Sequence, residues 1–217
     1  MPDPIQTRHA ASDHLRAAWG TWIGRLREVN QDVAEACPEE EFLVVSDGMG
    51  RACPGEAAAR MVARRLPHLA AYHLHVQTAA GKPEESGVRR ALKDAVMELN
   101  HALRHEISDM PGAARAGATL VGAWARGDAL WIVHMGDSRA YLARAGQAGA
   151  ELLTRDHSVV KAMLRNGMAT EEDDTALLEH RGKLTRYVGI GGGAGADVTR
   201  TTFAPGGRLP LCTDGLP

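Results

Sequence analysis

The chain has 217 residues, of which 44% are apolar and 24% charged, and this composition is typical of one globular domain rather than a disordered segment. The formal net charge of −2 gives no electrostatic attraction to nucleic acid or to an anionic membrane surface. No apolar run approaches the roughly 20 residues of a membrane-spanning helix, and the N-terminus lacks the regions of a secretory signal. Cys37, Cys53 and Cys212 form no CxxC pair, which is typical of unpaired thiols in a reducing compartment. We therefore expect a soluble cytoplasmic domain.

The first elements precede a change in hydrophobic period. Residues 1–14 are polar and mixed, and we expect a flexible N-terminal arm ahead of a single domain over residues 15–217. Residues 15–24 carry well-spaced large apolar side chains and predict an early strand, and the apolar run at 42–46 predicts a buried strand. That run ends in an Asp-Gly turn, after which the apolar spacing becomes helical.

Two helices and a group of strands follow. Apolar residues recur at three-to-four spacing over residues 57–69 and 88–107, and this predicts two amphipathic helices. Residues 117–144 alternate apolar runs with tight turns and predict a β-meander. Residues 157–181 become polar and helical again, and the apolar stretch at 208–213 predicts the last strand. This order favours an α+β fold with sheets packed between helices.

Three of the turns place a carboxylate directly after a hydrophobic run: Asp47-Gly48, Gly136-Asp137 and Asp214-Gly215. Taken singly, each dipeptide is most simply interpreted as a turn. In such a turn the Asp side chain caps the backbone and glycine supplies a positive φ. Carboxylates gathered at one place repel each other unless a cation lies between them, and hard divalent ions are the natural candidates. Arg27 to Asp32 is likewise either an ordinary polar turn or a phosphate-binding guanidinium beside a further carboxylate.

Seven short motifs in fixed order resemble the bacterial branch of the PP2C-type (PPM) protein phosphatases. They occupy residues 27–32, 45–50, 117–120, 136–142, 153–158, 184–189 and 212–216. One such motif alone would be weak, whereas seven in order are specific. The resemblance implies an α+β fold in which two antiparallel sheets form a β-sandwich flanked by helices on both sides, a four-layer αββα arrangement.

The resemblance also implies metal-dependent hydrolysis of phosphoserine and phosphothreonine by a hydroxide bridging two Mn²⁺ or Mg²⁺ ions, without a phospho-enzyme intermediate. Asp47 would bridge both metals, and the Gly48 carbonyl would ligate one of them. Asp214 would ligate the other metal, and Asp32 would act through water. Arg27 would bind the phosphate and stabilise its charge in the transition state. Asp47 and Arg27 are thus the expected catalytic residues.

Further expectations follow from the same resemblance. Asp137 matches the position that many members use for a third, weaker metal. Residues 157–188, called the flap segment below, would lie beside the active site and contribute to substrate choice. Arg51 stands where the family usually has glycine, and its side chain could reach the phosphate or point outward. The expected substrates are phosphorylated proteins, either targets of a bacterial serine/threonine kinase or the kinase itself, and we expect a monomer.

One departure leaves an alternative open. Family members continue past the second Asp-Gly to an Asp-Asn motif that ligates a metal, and this chain ends before it. We therefore expect a fold whose C-terminal portion is missing, with one metal short of a carboxylate. The alternative is a catalytically impaired or truncated relative that binds phosphoproteins or serves as a regulatory module. Related phosphatases of anti-anti-sigma factors share Asp-Gly-Met-Gly turns, but the motifs at 27–32 and 153–158 favour the first family.

Overall fold

Two antiparallel sheets packed against each other form the frame of the protein. The computed structural model describes residues 6–11, 15–25, 27–50, 53–78, 84–170, 172–192 and 195–216. Within these residues the strands are β1 (Gln6–Ala11), β2 (Arg16–Thr21), β3 (Asp32–Cys37), β4 (Phe42–Met49), β5 (Gly117–Ala118), β6 (Leu120–Arg126), β7 (Ala129–Met135), β8 (Arg139–Leu142), β9 (Glu151–Leu152), β10 (Asp197–Thr202) and β11 (Leu211–Cys212). The large sheet has the order β10-β7-β6-β4-β3, with β5 paired to β4, and the small sheet has the order β11-β8-β9.

Two long helices, α1 (Cys53–Thr78) and α2 (Glu85–Glu106), lie antiparallel on one face of the large sheet, as the three-to-four spacing predicts. Their buried stripes pack against alternate residues of β4, among them Phe42 and Val44. The other face of β4 presents Leu43 and Val45 to a second core between the two sheets. Two short helices, α3 (Val159–Arg165) and α4 (Asp174–His180), lie in the flap segment. None of the helices described is both long and apolar enough to cross a membrane.

The connection after β7 changes sheets. The β6–β7 hairpin forms in full antiparallel register, as predicted for residues 117–144, but β8 pairs with β9 and β11 in the small sheet. The prediction of one continuous meander is therefore wrong at this point. Gly136 has φ +113°, and a Cβ there would lie 2.8 Å from the Thr119 side chain. Only glycine allows the chain to leave the large sheet so tightly.

Several other strands also differ from the sequence reading. Part of the segment predicted as a flexible arm, residues 6–11, forms β1, which pairs with β2 in a separate two-stranded sheet. Strand β10 was not predicted from the sequence. It lies at the edge of the large sheet and buries only Val198, so its sequence lacks the alternation of apolar residues that indicates a strand. The predicted last strand is shorter than expected and belongs to the small sheet as β11. The small sheet therefore joins strands that are far apart in the sequence, since β11 pairs with β8.

Candidate metal centre

The large sheet contributes two carboxylates that lie side by side. Asp32 and Asp47 are opposite each other in the β3–β4 ladder, and opposite residues in an antiparallel pair project to the same face. Side chains alternate along a strand, so Asp47 shares its face with Leu43 and Val45, which pack between the sheets. The two side chains are within hydrogen-bonding range, and protonated Asp47 would be the donor, because an ionised carboxylate can only accept. This pair therefore lies at one end of the inter-sheet core.

The small sheet brings a third carboxylate to the same place, and the sheet-changing turn brings a fourth. Asp214 follows β11, and the neighbouring Thr213 donates its hydroxyl to Asp32 Oδ2 at 3.1 Å. Asp137 lies in the connection from β7 to β8. The charge of Asp214 acts on Asp32, Asp47 and Asp137. We call Asp32, Asp47, Asp137 and Asp214 the carboxylate cluster.

Mutual repulsion in this cluster is strongest at Asp47. Burial raises the pKa of Asp47 to about 8, with further increases from the negative charges of Asp32, Asp214 and Asp137. Burial also raises the pKa of Asp32. The hydrogen bonds that Asp32 makes and the positive charge of Arg27 lower this pKa, but they offset the effect of burial only in part. A carboxyl that holds its proton near neutral pH marks a place where negative charge lacks a compensating cation.

The pKa of Asp137 is also raised, and the arginine nearest to it in the sequence is bound to another carboxylate. Burial and the charge of Asp214 raise the pKa of Asp137 to about 6. Arg139, two residues further along, is held by Asp156 through a two-point ion pair with distances of 3.0 and 2.8 Å. Its positive charge is therefore directed toward Asp156, whose own charge raises the pKa of Asp137 further, and the lowering by Arg139 is the smallest of these effects.

Gly48 is fixed by close packing of backbone on both sides. Its N–H donates to the Gln31 carbonyl at 3.0 Å, and it pairs with Ala118 in the β4–β5 ladder. A Cβ at Gly48 would lie 2.1 Å from the carbonyl oxygen of Gly55 in the first turn of α1. No larger residue fits here without displacing the start of that helix. Glycine is therefore required at this position because the end of β4 touches the first turn of α1.

A buried threonine that sequence reasoning assigned no role supports the Asp47 backbone. The Thr119 hydroxyl accepts a hydrogen bond from the Asp47 N–H at 2.8 Å, and the Thr119 N–H donates to the Asp47 carbonyl at 2.8 Å. The same hydroxyl lies 2.6 Å from Ser138 Oγ, beside Asp137, and the Thr119 carbonyl accepts from Ser46 Oγ at 2.6 Å. Since Ser46, Thr119 and Ser138 are almost fully buried, their hydroxyls connect the end of β4, which carries Asp47, to the turn that carries Asp137. Small polar residues within apolar runs were the available signal.

Arg27 lies on the exposed loop before β3. Its positive charge acts on Asp32, so the guanidinium is within electrostatic range of the carboxylate cluster while its side chain remains accessible. This combination suits a residue that meets an anionic ligand arriving from solvent. Arg51, the other arginine considered in the sequence, lies outside the described residues.

A second group of candidate ligands lies behind the cluster. His134, His157 and Asp197 have ligand atoms within 4.8 Å of one another, and the two imidazole rings are 4.6 Å apart. His134 is buried, and its ring nitrogens have no hydrogen-bond partner among the described residues, although the Ser138 backbone approaches the ring. Burial lowers the pKa of His134 to about 4. Arg186 already supplies a positive charge to Asp197, so this group has less need of a cation than the carboxylate cluster.

The chemistry of the carboxylate cluster fits divalent metal ions. Magnesium and manganese favour carboxylate and carbonyl oxygens, and the cluster provides four carboxylates from both sheets, with the Gly48 backbone directly after Asp47. Burial and repulsion together hold the pKa of Asp47 far above its ordinary range, and a bound cation would offset both by supplying an opposite charge. The predicted metal-ligand residues, and the motifs that contain them, thus lie close together in the structure.

Comparisons with known proteins point in the same direction. A sequence profile of the family described as protein phosphatase 2C matches residues 25–217. The serine/threonine phosphatase stp of Listeria monocytogenes is 30% identical over 207 residues, which cover 93% of this chain and 78% of that protein.

Solved structures share the fold over nearly the whole chain. The crystal structure of the serine/threonine phosphatase PstP/Ppp of Mycobacterium tuberculosis superimposes with a TM-score of 0.71 at 26% identity, covering 98% of this chain and 79% of that one. A structure of the PstP catalytic domain in complex with two manganese ions superimposes with a TM-score of 0.67 at 26% identity, covering 98% and 78% of the two chains.

Proposed function

The chain belongs to the protein phosphatase 2C family of metal-dependent serine/threonine phosphatases, and we propose that it hydrolyses phosphoserine and phosphothreonine in proteins at the carboxylate cluster. The observation that carries this proposal is the convergence of four carboxylates from both sheets, where burial together with their mutual repulsion raises the pKa of Asp47 to about 8. Carboxylates that share a buried site disfavour each other's ionised form unless an opposite charge lies nearby. A site for divalent ions explains why the fold gathers them here.

We assign the metal ligands to the residues expected from the sequence. Asp47 would bridge two ions, which we propose to be Mn²⁺ or Mg²⁺, with the Gly48 carbonyl on one and Asp214 on the other. Asp32, hydrogen-bonded to Asp47 and to Thr213, would act through water. When bound, such a pair of ions activates a water molecule as nucleophile and neutralises charge on the phosphoryl group. Asp137 would hold a third, weaker ion.

The protein's own side chains supply orientation. Thr119 fixes both backbone groups of Asp47, so that carboxylate projects from a rigid strand end, as an accurately placed ligand requires. Arg27 would bind the incoming phosphate through its planar guanidinium and stabilise the added charge of the transition state. Direct attack by water requires no nucleophilic side chain, and none is proposed.

Substrate choice is assigned to the surface around this centre. Phosphorylated proteins are the substrate class, and we propose that they are targets of a bacterial serine/threonine kinase or the kinase itself. The flap segment, which bonds to Ala118 through Val188, would contact the polypeptide around the phosphorylated residue. We further propose that the enzyme is a monomer in the cytoplasm, where its thiols Cys37 and Cys212 would remain unpaired.

The test is hydrolysis of p-nitrophenyl phosphate and of a phosphothreonine peptide with millimolar Mn²⁺, with Mg²⁺ and with EDTA. We expect activity with the metals and none with EDTA. Asp47→Asn should abolish activity, whereas Asp128→Asn, in the exposed β6–β7 turn, should leave it unchanged. A folded wild-type sample that binds Mn²⁺ and a phosphopeptide without hydrolysing either substrate would contradict the proposal and support the regulatory alternative.

A further inference from the structure

His157 connects the flap segment to the turn that carries Asp137. The residue is 4% exposed, and it engages both backbone groups of Gly136. Its N–H donates to the Gly136 carbonyl at 2.7 Å, and its ring Nδ1 accepts from the Gly136 N–H at 3.1 Å. Because Asp137 follows Gly136 directly, a rotation of the Gly136 peptide would redirect the Asp137 carboxylate. One residue therefore fixes the backbone on which this carboxylate depends.

The hydrogen bonds of the ring define its protonation. A backbone N–H can only donate, so Nδ1 must accept, and in the neutral ring the proton is on Nε2. That nitrogen lies 2.9 Å from Asp197 Oδ2. Arg186, which can only donate, approaches the same nitrogen without a hydrogen bond to it and binds Asp197 through both terminal nitrogens at 2.8 and 3.1 Å. The imidazole is thus held at both nitrogens, and metal binding at Nε2 would have to remove its proton.

The backbone of His157 belongs to the base of the flap segment, where its two ends run side by side. The His157 carbonyl accepts from the Thr185 N–H at 2.7 Å and from the Thr185 hydroxyl at 3.0 Å. Two residues further along, the Val159 N–H donates to the Lys183 carbonyl at 2.8 Å. Both ends of the flap segment are consequently tied to the residue that fixes Gly136.

We propose that His157 is a positioning residue of this phosphatase, which holds the Gly136–Asp137 turn in register with the flap segment and thereby sets the affinity for the ion at Asp137. The inference rests on the proposed function, since it takes Asp137 as a metal ligand. Residues that orient metal ligands typically contribute about 10- to 100-fold to metal affinity or activity. His157 is placed to do so through the backbone, without touching the metal or the substrate.

Two substitutions separate the two ends of the ring. In His157→Asn the side-chain oxygen can occupy the place of Nδ1 and still accept from the Gly136 N–H. In His157→Gln the amide reaches the place of Nε2 and the Asp197 contact, and the Gly136 N–H loses its partner. Both variants remove the same buried ring, so a purely structural role predicts similar losses. His105→Gln, on the exposed face of α2, is the matched control.

Three measurements carry the test. Mn²⁺ binding is followed by calorimetry, amide hydrogen exchange at Gly136 is followed by NMR in the metal-free protein, and turnover of p-nitrophenyl phosphate is measured against Mn²⁺ concentration. We expect His157→Gln to weaken the weakest Mn²⁺ site about 10-fold and to speed Gly136 exchange, with a smaller change in kcat at saturating Mn²⁺. His157→Asn should stay within about threefold of wild type, and His157→Gln should cost nothing further when Asp137→Asn is already present.

Equal losses in the Asn and Gln variants, or losses that add to that of Asp137→Asn, would overturn the inference. An unprotected Gly136 amide in the wild-type protein would overturn it as well, and this result requires no variant to fold. A wild-type protein that binds Mn²⁺ but hydrolyses no phosphoester would contradict the proposed function alone, because calorimetry and exchange would still distinguish the two variants.

Discussion

Replacing Asp47 by Asn should stabilise the metal-free protein while abolishing its activity. Each pKa unit corresponds to about 1.4 kcal/mol, so the rise of the Asp47 pKa to about 8 from an ordinary value near 4 sets a ceiling of roughly 5 to 6 kcal/mol on the cost of ionising this carboxyl in the fold. Asp32 shares the proton and the structure relaxes, so we expect the variant to gain about 1 to 2 kcal/mol at pH 8. In a domain of this size that gain corresponds to about 2 to 8 °C in Tm.

The sign of the pH dependence is fixed by the direction of the shift. A carboxyl whose pKa is higher in the folded than in the unfolded state costs no stability below its unfolded pKa, near 4. The cost then grows as pH rises and is complete above the folded value of about 8. The advantage of Asp47→Asn over wild type should therefore be small at pH 5 and largest at pH 8.

The assay is thermal unfolding at pH 5, 7 and 8 in EDTA and in millimolar Mn²⁺. In EDTA the variant should unfold at the higher temperature, and in Mn²⁺ the order should reverse because only wild type gains the full stabilisation from bound ions. Asp128→Asn serves as the control and should show neither effect. A variant less stable than wild type in EDTA at pH 8, or a difference that does not grow with pH, would refute the reasoning.

Three further predictions concern the same centre. Gly48→Ala should lose at least about 2 kcal/mol of stability and its Mn²⁺ binding, because the new methyl group would lie 2.1 Å from the Gly55 carbonyl oxygen. Urea unfolding measures the loss of stability and calorimetry the loss of binding. The control is Gly195→Ala, whose Cβ meets nothing within 4 Å. Arg27→Ala should lower kcat/KM about 100-fold with unchanged Mn²⁺ affinity, and Arg27→Lys should restore only part of it; steady-state kinetics with a phosphothreonine peptide decide. Mn²⁺ binding must displace the proton from Asp47, whose pKa is about 8, so calorimetry in buffers of different ionisation enthalpy should detect proton release, with affinity rising between pH 6 and 8.

Much of the site was predictable because its residues lie at the ends of hydrophobic runs. The family, the α+β fold and the class of metal-dependent serine/threonine phosphatase are confirmed by the comparisons. The positions of Asp47 and Asp137 depend on a local signal, a hydrophobic run that ends beside a glycine, which is readable in one sequence. The expected turn with a positive φ is wrong at Asp47-Gly48, because both residues continue β4. Their convergence was expected from the resemblance, and the structure brings them into electrostatic contact.

The rest depends on contacts between distant segments. Thr119 supports a residue 72 positions away, and His157 reaches Asp197 over 40 positions; neither pairing has a local pattern. Strand β10 carries too few apolar residues to be recognised, because an edge strand buries little. The change of sheet at Gly136 is equally invisible, since the same dipeptide also suits an ordinary hairpin.

The distribution of the carboxylates over both sheets has a mechanical consequence. Asp32 and Asp47 extend from the large sheet and Asp214 from the small one, so an ion shared among them would act as a non-covalent cross-link at one end of the sandwich. At a concentration 100 times its Kd, such an ion would add about 2.7 kcal/mol to the cohesion of the fold. The metal concentration would then affect the rate of hydrolysis and also how often this end of the protein opens to proteases.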